Sequence, residues 1–139
     1  MVNNMLVTIK KYYQNSYNDV IEYHFDKYIY SKTTFGDKFE YYIDNVSTDY
    51  NTFKNHLENT SWLKLNIYEF FIMLERYNTT MTLKELYKTQ INFFQNKIKY
   101  FNNIYLDSST TTYFKHNALD QIKYFEQQIT YYQTLINEN

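Results

Sequence analysis

The chain is 139 residues long, carries a formal net charge of −1, and contains neither cysteine nor proline. The missing thiols exclude disulfides, cysteine zinc sites and thiol nucleophiles. The single glycine, Gly36, excludes a glycine-rich phosphate loop and a nucleophile elbow. Composition is skewed as well: 18 Tyr and 11 Phe stand beside one alanine (Ala118) and one arginine (Arg76). Lys, Asn, Ile, Tyr and Phe have AT-rich codons, so a very AT-rich genome is expected: a low-GC bacterium, its phages or plasmids, or a virus. An aromatic content of 22% supplies ample apolar surface for folding and argues against disorder. The length predicts one domain over residues 1–139.

Residues 1–46 read as strands. Ile21, Tyr23 and Phe25 alternate with Glu22, His24 and Asp26, and Phe39, Tyr41 and Ile43 alternate with Glu40, Tyr42 and Asp44. Period-two alternation of aromatic and β-branched residues fits a pleated, half-buried surface. Asn15 to Asp19 and Thr33 to Asp37 supply turn residues, which predicts a three-strand antiparallel meander. A helix is the competing reading at the start, because Leu6, Ile9, Tyr13 and Tyr17 also fit one helical face.

Residues 47–78 read as two helices. The first is short, capped by Ser47 or Thr48, with Tyr50, Phe53 and Leu57 on one side. The second runs from about Ser61 to Asn78, with Leu63, Ile67, Phe70, Phe71, Leu74 and Tyr77 as its apolar face.

Residues 82–137 read as a long antiparallel helical hairpin. Leu83, Tyr87, Ile91, Phe94, Ile98, Phe101 and Tyr105 are spaced 4, 4, 3, 4, 3, 4, and so are Phe114, Ala118, Ile122, Phe125, Ile129, Tyr132 and Ile136. Both sets are single-face stripes of nearly heptad period. Thr82 and Glu85 form a capping-box pattern before the first helix, and Leu106 to Thr111 is a polar connection. In reverse order about that connection, Phe101 meets Ala118, Phe94 meets Phe125, Tyr87 meets Tyr132 and Leu83 meets Ile136. The fold expected is therefore α+β: a small antiparallel sheet, then about four helices, the last two a hairpin.

Chemistry is sparse. No two of His24, His56 and His116 lie at helical metal-pair spacing, and none has an obvious Ser or Asp catalytic partner nearby in sequence. Glu22, His24 and Asp26 share one strand face and make a weak metal candidate. The plainer reading is a solvated sheet face. No enzyme and no cofactor are expected.

Three surface features suggest binding. Residues 19–49 hold seven acids against three lysines, a net of −4. Glu22, Asp26, Asp37, Glu40 and Asp44 are the candidate acidic face, able to imitate a phosphate row before a basic groove. Leu86, Phe93, Tyr100 and Ile104 form a second stripe beside the hairpin seam, matched by Tyr124, Tyr131 and Leu135, and these are the candidate self-association residues. Lys84, Lys88, Lys97 and Lys99, interleaved with tyrosines, are a candidate nucleic-acid surface, less favoured because arginine is nearly absent.

The function expected is a non-catalytic interaction protein of a phage, virus or mobile element that binds and inhibits a host protein, such as a nucleic-acid-targeting defence complex. A self-associating structural subunit, forming a homodimer, is the first alternative. A nucleic-acid-binding protein or metal-dependent nuclease is the second. The most apolar stretch, Trp62 to Leu74, is interrupted by Lys64, Asn66 and Glu69, and the N-terminal apolar patch is short. Neither a membrane span nor a secretory signal is expected, and the location expected is the host cytoplasm.

Overall fold

Alternation of the kind seen at Ile21–Phe25 forces the chain to be extended, because only a strand places every second side chain on one face. The computed structural model describes residues 5–15, 18–66 and 78–138, which fall into two compact units, 5–82 and 83–138.

The first unit is a six-stranded antiparallel sheet of order β5-β4-β3-β2-β1-β6. Its strands are β1 (Leu6–Asn15), β2 (Asn18–Phe25), β3 (Tyr28–Phe35), β4 (Lys38–Ile43), β5 (Val46–Thr48) and β6 (Thr80–Thr82). The helical alternative for the first residues falls, since Leu6–Asn15 pairs with β2 from Val7↔Phe25 to Asn15↔Asn18. The meander has five strands rather than three. Two tight turns were not legible: Asp26-Lys27, with Asp26 at φ 54°, and Asp44-Asn45, with φ 50° and 66°. At Asp44-Asn45 both central residues have positive φ and at Asp26-Lys27 only the first does; both are hairpin geometries that match strand twist. The Gly36-Asp37 turn falls inside the predicted segment, with Gly36 at φ 59°. β6, only three residues long, adds to the far edge beside β1 through Leu6↔Thr82, Val7↔Met81 and Thr8↔Thr80.

One sheet face carries most of the core, and Val20, Ser31 and Thr33 on the other face are buried as well. Val7, Ile9, Ile21, Tyr23, Phe25 and Tyr30 are buried on the first face. α1 (Tyr50–Ser61) packs there through Phe53, whose ring lies 5.9 Å from Tyr30 and 5.1 Å from Tyr41. Each such side chain contributes about 1.5–3 kcal/mol by leaving water. The cap of α1 is Asp49, whose carboxylate accepts from the Thr52 N–H at 2.7 Å and is held below the usual carboxylate range by that bond. Ser47 and Thr48, the caps expected, belong to β5 instead.

The helix expected over 61–78 is corrected in its first part. Ser61 ends α1, and Trp62 follows in the left-handed conformation at φ 60°, its N–H donating to the Glu58 carbonyl. Beyond it Leu63 and Leu65 are buried while Trp62, Lys64 and Asn66 are exposed, a period-two pattern that no helix produces. Ile67, Phe70, Phe71, Leu74 and Tyr77 lie outside the described residues. Three helices rather than four are present among the described residues.

The second unit is the hairpin: α2 (Leu83–Leu106) and α3 (Thr112–Asn137). Thr82 immediately precedes α2 and Glu85 sits in its first turn. The expected seam forms. Phe94 stacks on Phe125 at 5.5 Å, and Tyr87 meets Tyr132 at 5.6 Å. Phe94 also stacks on Tyr132 and Phe101 on Phe125, each at 6.0 Å, so the rings interlock along the seam. The connection is ordered by Asp107, whose carboxylate accepts the Ser109 N–H at 2.9 Å and its hydroxyl at 2.7 Å. The backbone bond from Ser109 lowers the Asp107 carboxyl below its ordinary range.

Candidate interaction surface

Register decides where the acidic residues go. Lys10, Glu22, Ser31, Tyr42 and Ser47 are successive cross-strand partners, so they share the face opposite the core. Glu40, paired with Thr33, is on that same face, two positions along and beyond β3. Asp26 and Asp44 sit in the turns at one end of the sheet, and Asp37 sits in the turn at the other end. The five acids therefore do not form one face. Asp44 has a local role: its carboxylate accepts the Ile29 N–H at 2.9 Å, while its own N–H donates to the Ile29 carbonyl.

Glu22 and His24 do come together, with Oε2 and Nε2 2.8 Å apart. Asp26 occupies the turn and does not complete a site. Among the described residues, no three His, Asp or Glu side chains gather as metal ligands. On the same face lies a cavity of about 250 Å³, bordered by Glu22, Ser31, Thr33 and Tyr42. Hydrogen bonding to Glu40 orients the Tyr42 hydroxyl and raises its ionisation above the ordinary tyrosine range.

The second stripe of the hairpin divides along its length. Leu86 and Leu135 are buried, so they are not available for self-association. Phe93, Ile104 and Tyr131 are half-buried, while Tyr100 and Tyr124 are 59% and 44% exposed. At 100° per residue these positions fall on one flank of each helix, and antiparallel packing turns the two flanks to the same side. Tyr113, three turns before Tyr124, falls on that flank as well.

Among the described residues, the largest apolar exposure is at the hairpin tip. Tyr113 is 77% exposed, Leu106 76% and Phe114 56%. Phe114 and Tyr105, expected in the seam, are both on the surface. Burial along the seam ends at Ala118, and Tyr105 and Phe114, the next pair in the same register toward the connection, are left open to solvent. Phe101, Ile104, Phe114 and Ala118 border an open cavity of about 370 Å³, with Ser109 to Thr111 on its rim. The tip patch was missed in the sequence because Phe114 and Tyr105 keep the heptad spacing of the buried positions. The one available signal was their place at the extreme ends of both stripes, beside a polar loop. Lys115, next to Phe114, is half-buried; farther along the hairpin Lys99 and Lys123 are exposed, and the Lys97 ammonium lies 5.4 Å from the Phe93 ring. No helix among the described residues is long and apolar enough to cross a membrane. No protein-family model, no curated protein and no solved structure matches the chain.

Proposed function

We propose that this protein is a non-catalytic interaction protein that seats the distal end of its helical hairpin on a protein partner. The observation that carries the reading is the exposed Tyr113–Phe114 pair, rings 5.4 Å apart, with Phe114 bordering an open apolar cavity and Leu106 exposed at the same end of the hairpin. Contiguous exposed apolar surface rimmed by polar groups marks interaction sites, and tyrosine is enriched where interfaces concentrate their energy. The AT-rich composition supports a phage, virus or mobile-element source. The partner proposed is a host factor that the chain inhibits in the host cytoplasm, with a nucleic-acid-targeting defence complex as the leading class. The acidic turn residues Asp26 and Asp44 add a second, charged contact region to this reading.

The test is a tagged pull-down from a low-GC bacterial lysate, with and without nuclease, comparing the native chain with Tyr113→Ser/Phe114→Ser. One host protein should co-purify in near-stoichiometric amount, resist nuclease, and be lost with the double variant. Equal recovery by the variant would remove the tip from the binding site. Loss on nuclease treatment would favour the nucleic-acid alternative, supported by the lysines that flank the tyrosines.

The exposed pair Tyr100 and Tyr124 on one flank supports a second reading, a homodimer through the distal hairpin. Sedimentation over a range of concentrations distinguishes it. A concentration-dependent dimer abolished by Tyr100→Ser/Tyr124→Ser is expected on that reading, and a monomer at every concentration overturns it.

A further inference from the structure

We propose that a second copy of this chain seats on the distal hairpin, with Tyr113 of each copy entering the tip cavity of the other. The proposal rests on the homodimer reading and specifies its contact. Knob and hole stand side by side on one surface. Tyr113 is 77% exposed and does not border the cavity, yet its ring lies 5.4 Å from that of Phe114, which does. A surface that carries a protruding group beside a matching hollow is self-complementary under a twofold axis, because each copy then fills the other. The cavity, about 370 Å³, takes one phenol ring against Phe101, Ile104 and Phe114.

The lining suits that occupant. Phe101, Ile104, Phe114 and Ala118 are apolar, the remaining lining residues are neutral and polar, and none is charged. A tyrosine hydroxyl that leaves water requires a hydrogen-bond partner, and the rim offers the Thr110 and Thr111 hydroxyls and the Asn117 carboxamide. Thr111 makes no side-chain capping bond to α3, so its hydroxyl is not committed to the helix. Charge on this flank is complementary as well. Lys97 lies on it in α2 and Asp120 at its margin in α3, each about two turns behind the tip. A twofold axis parallel to the hairpin lays α2 of one copy on α3 of the other, which sets lysine toward aspartate at similar height. The same axis brings Tyr100 and Tyr124, 59% and 44% exposed, into the contact. With half-buried Phe93 and Ile104 between them, the flank leaves on the order of 600 Å² open on each copy, which reaches the lower bound of a specific interface, about 1,200 Å² in total. Self-association and partner capture then draw on the same surface, so the dimer shields the patch.

The experiment is sedimentation velocity of the full chain over a wide range of concentrations, native and variant, with far-UV circular dichroism to confirm folding. A concentration-dependent dimer is expected. Tyr113→Ala should raise its dissociation constant at least about thirtyfold, because the ring is lost from both halves of the contact. Asn117→Trp, an exposed rim position where the larger side chain closes the cavity mouth, should do the same. Both positions are exposed, so both variants keep the hairpin. Lys115→Ala, on the opposite side of α3, should leave the dimer unchanged. Undiminished dimerisation in either the Tyr113 or the Asn117 variant overturns the seating of Tyr113 in the cavity; if Tyr100→Ser/Tyr124→Ser still abolishes that dimer, the homodimer reading stands without it. A monomer at every concentration overturns both and leaves the tip to a different protein.

Discussion

The Tyr30 hydroxyl lies 2.8 Å from Nδ1 of His56, a hydrogen bond that joins β3 to α1 inside the sheet unit. Burial pushes the Tyr30 phenol up from 10.0 to about 12. A raised value means that the unfolded chain releases this proton first. The stabilisation is complete below about pH 10 and is lost as pH rises to about 12. The amount at stake is about 3 kcal/mol. Tyr87, fully buried, is raised by burial in the same direction.

Tyr30→Phe should therefore cost about 1 kcal/mol at neutral pH, through the lost hydrogen bond, and reduce the alkaline loss of stability. Urea unfolding at a series of pH values up to about 12 measures both effects. Parallel alkaline loss in the variant and the native chain would contradict the assignment.

Phe94 sits between Phe125 and Tyr132 and is 6% exposed. Phe94→Ala should destabilise the hairpin by about 3–5 kcal/mol, by transfer cost and cavity together. Tyr105→Ala, on the same heptad stripe but exposed, should stay within about 0.5 kcal/mol. Thermal unfolding followed by far-UV circular dichroism separates the two, and similar losses would mean that the seam extends to the tip.

Asn45 has φ 66°, a conformation β-branched residues resist. Asn45→Val should cost about 1–2 kcal/mol, and Asn45→Gly should be nearly neutral, because glycine adopts positive φ without a steric penalty. Urea midpoints of the two variants give the comparison. An equal response would place the turn's stability in the Asp44 to Ile29 bonds rather than in its backbone conformation.

At the tip, Tyr113→Ser/Phe114→Ser should leave unfolding free energy within about 0.5 kcal/mol of the native chain while removing partner capture. A large fall in Tm would show that these side chains serve the hairpin itself.

The hairpin was legible because its information is local. Seven apolar residues at 3–4 spacing define a helical face, and two such faces of equal length fix each other's register, as Phe94 with Phe125 and Tyr87 with Tyr132 demonstrate. The strand character of β2 and β4 was legible for the same reason. The turns at Asp26 and at Asp44-Asn45 were not, because they use positive φ without glycine or proline to mark it. Asp49 displaced Ser47 and Thr48 as the α1 cap, because strand pairing had already claimed those two residues.

By itself, then, the sequence determined the periodicities: strands first, a two-helix seam last, and a chain without thiol or glycine-loop chemistry. Periodicity is a property of neighbours along the chain, so a list of residues carries it. Tertiary structure alone decided which members of one stripe face water. Leu86 and Leu135 are buried while Tyr100 and Tyr124, on the same flank, are exposed. It also divided the five acids between one face and both ends of the sheet, and placed Ser31, Thr33 and Tyr42 around Glu22. Those outcomes depend on strand register and on what lies beyond each element. A one-residue slip in register would carry a whole strand's side chains to the other face, and no stretch of local sequence records that choice.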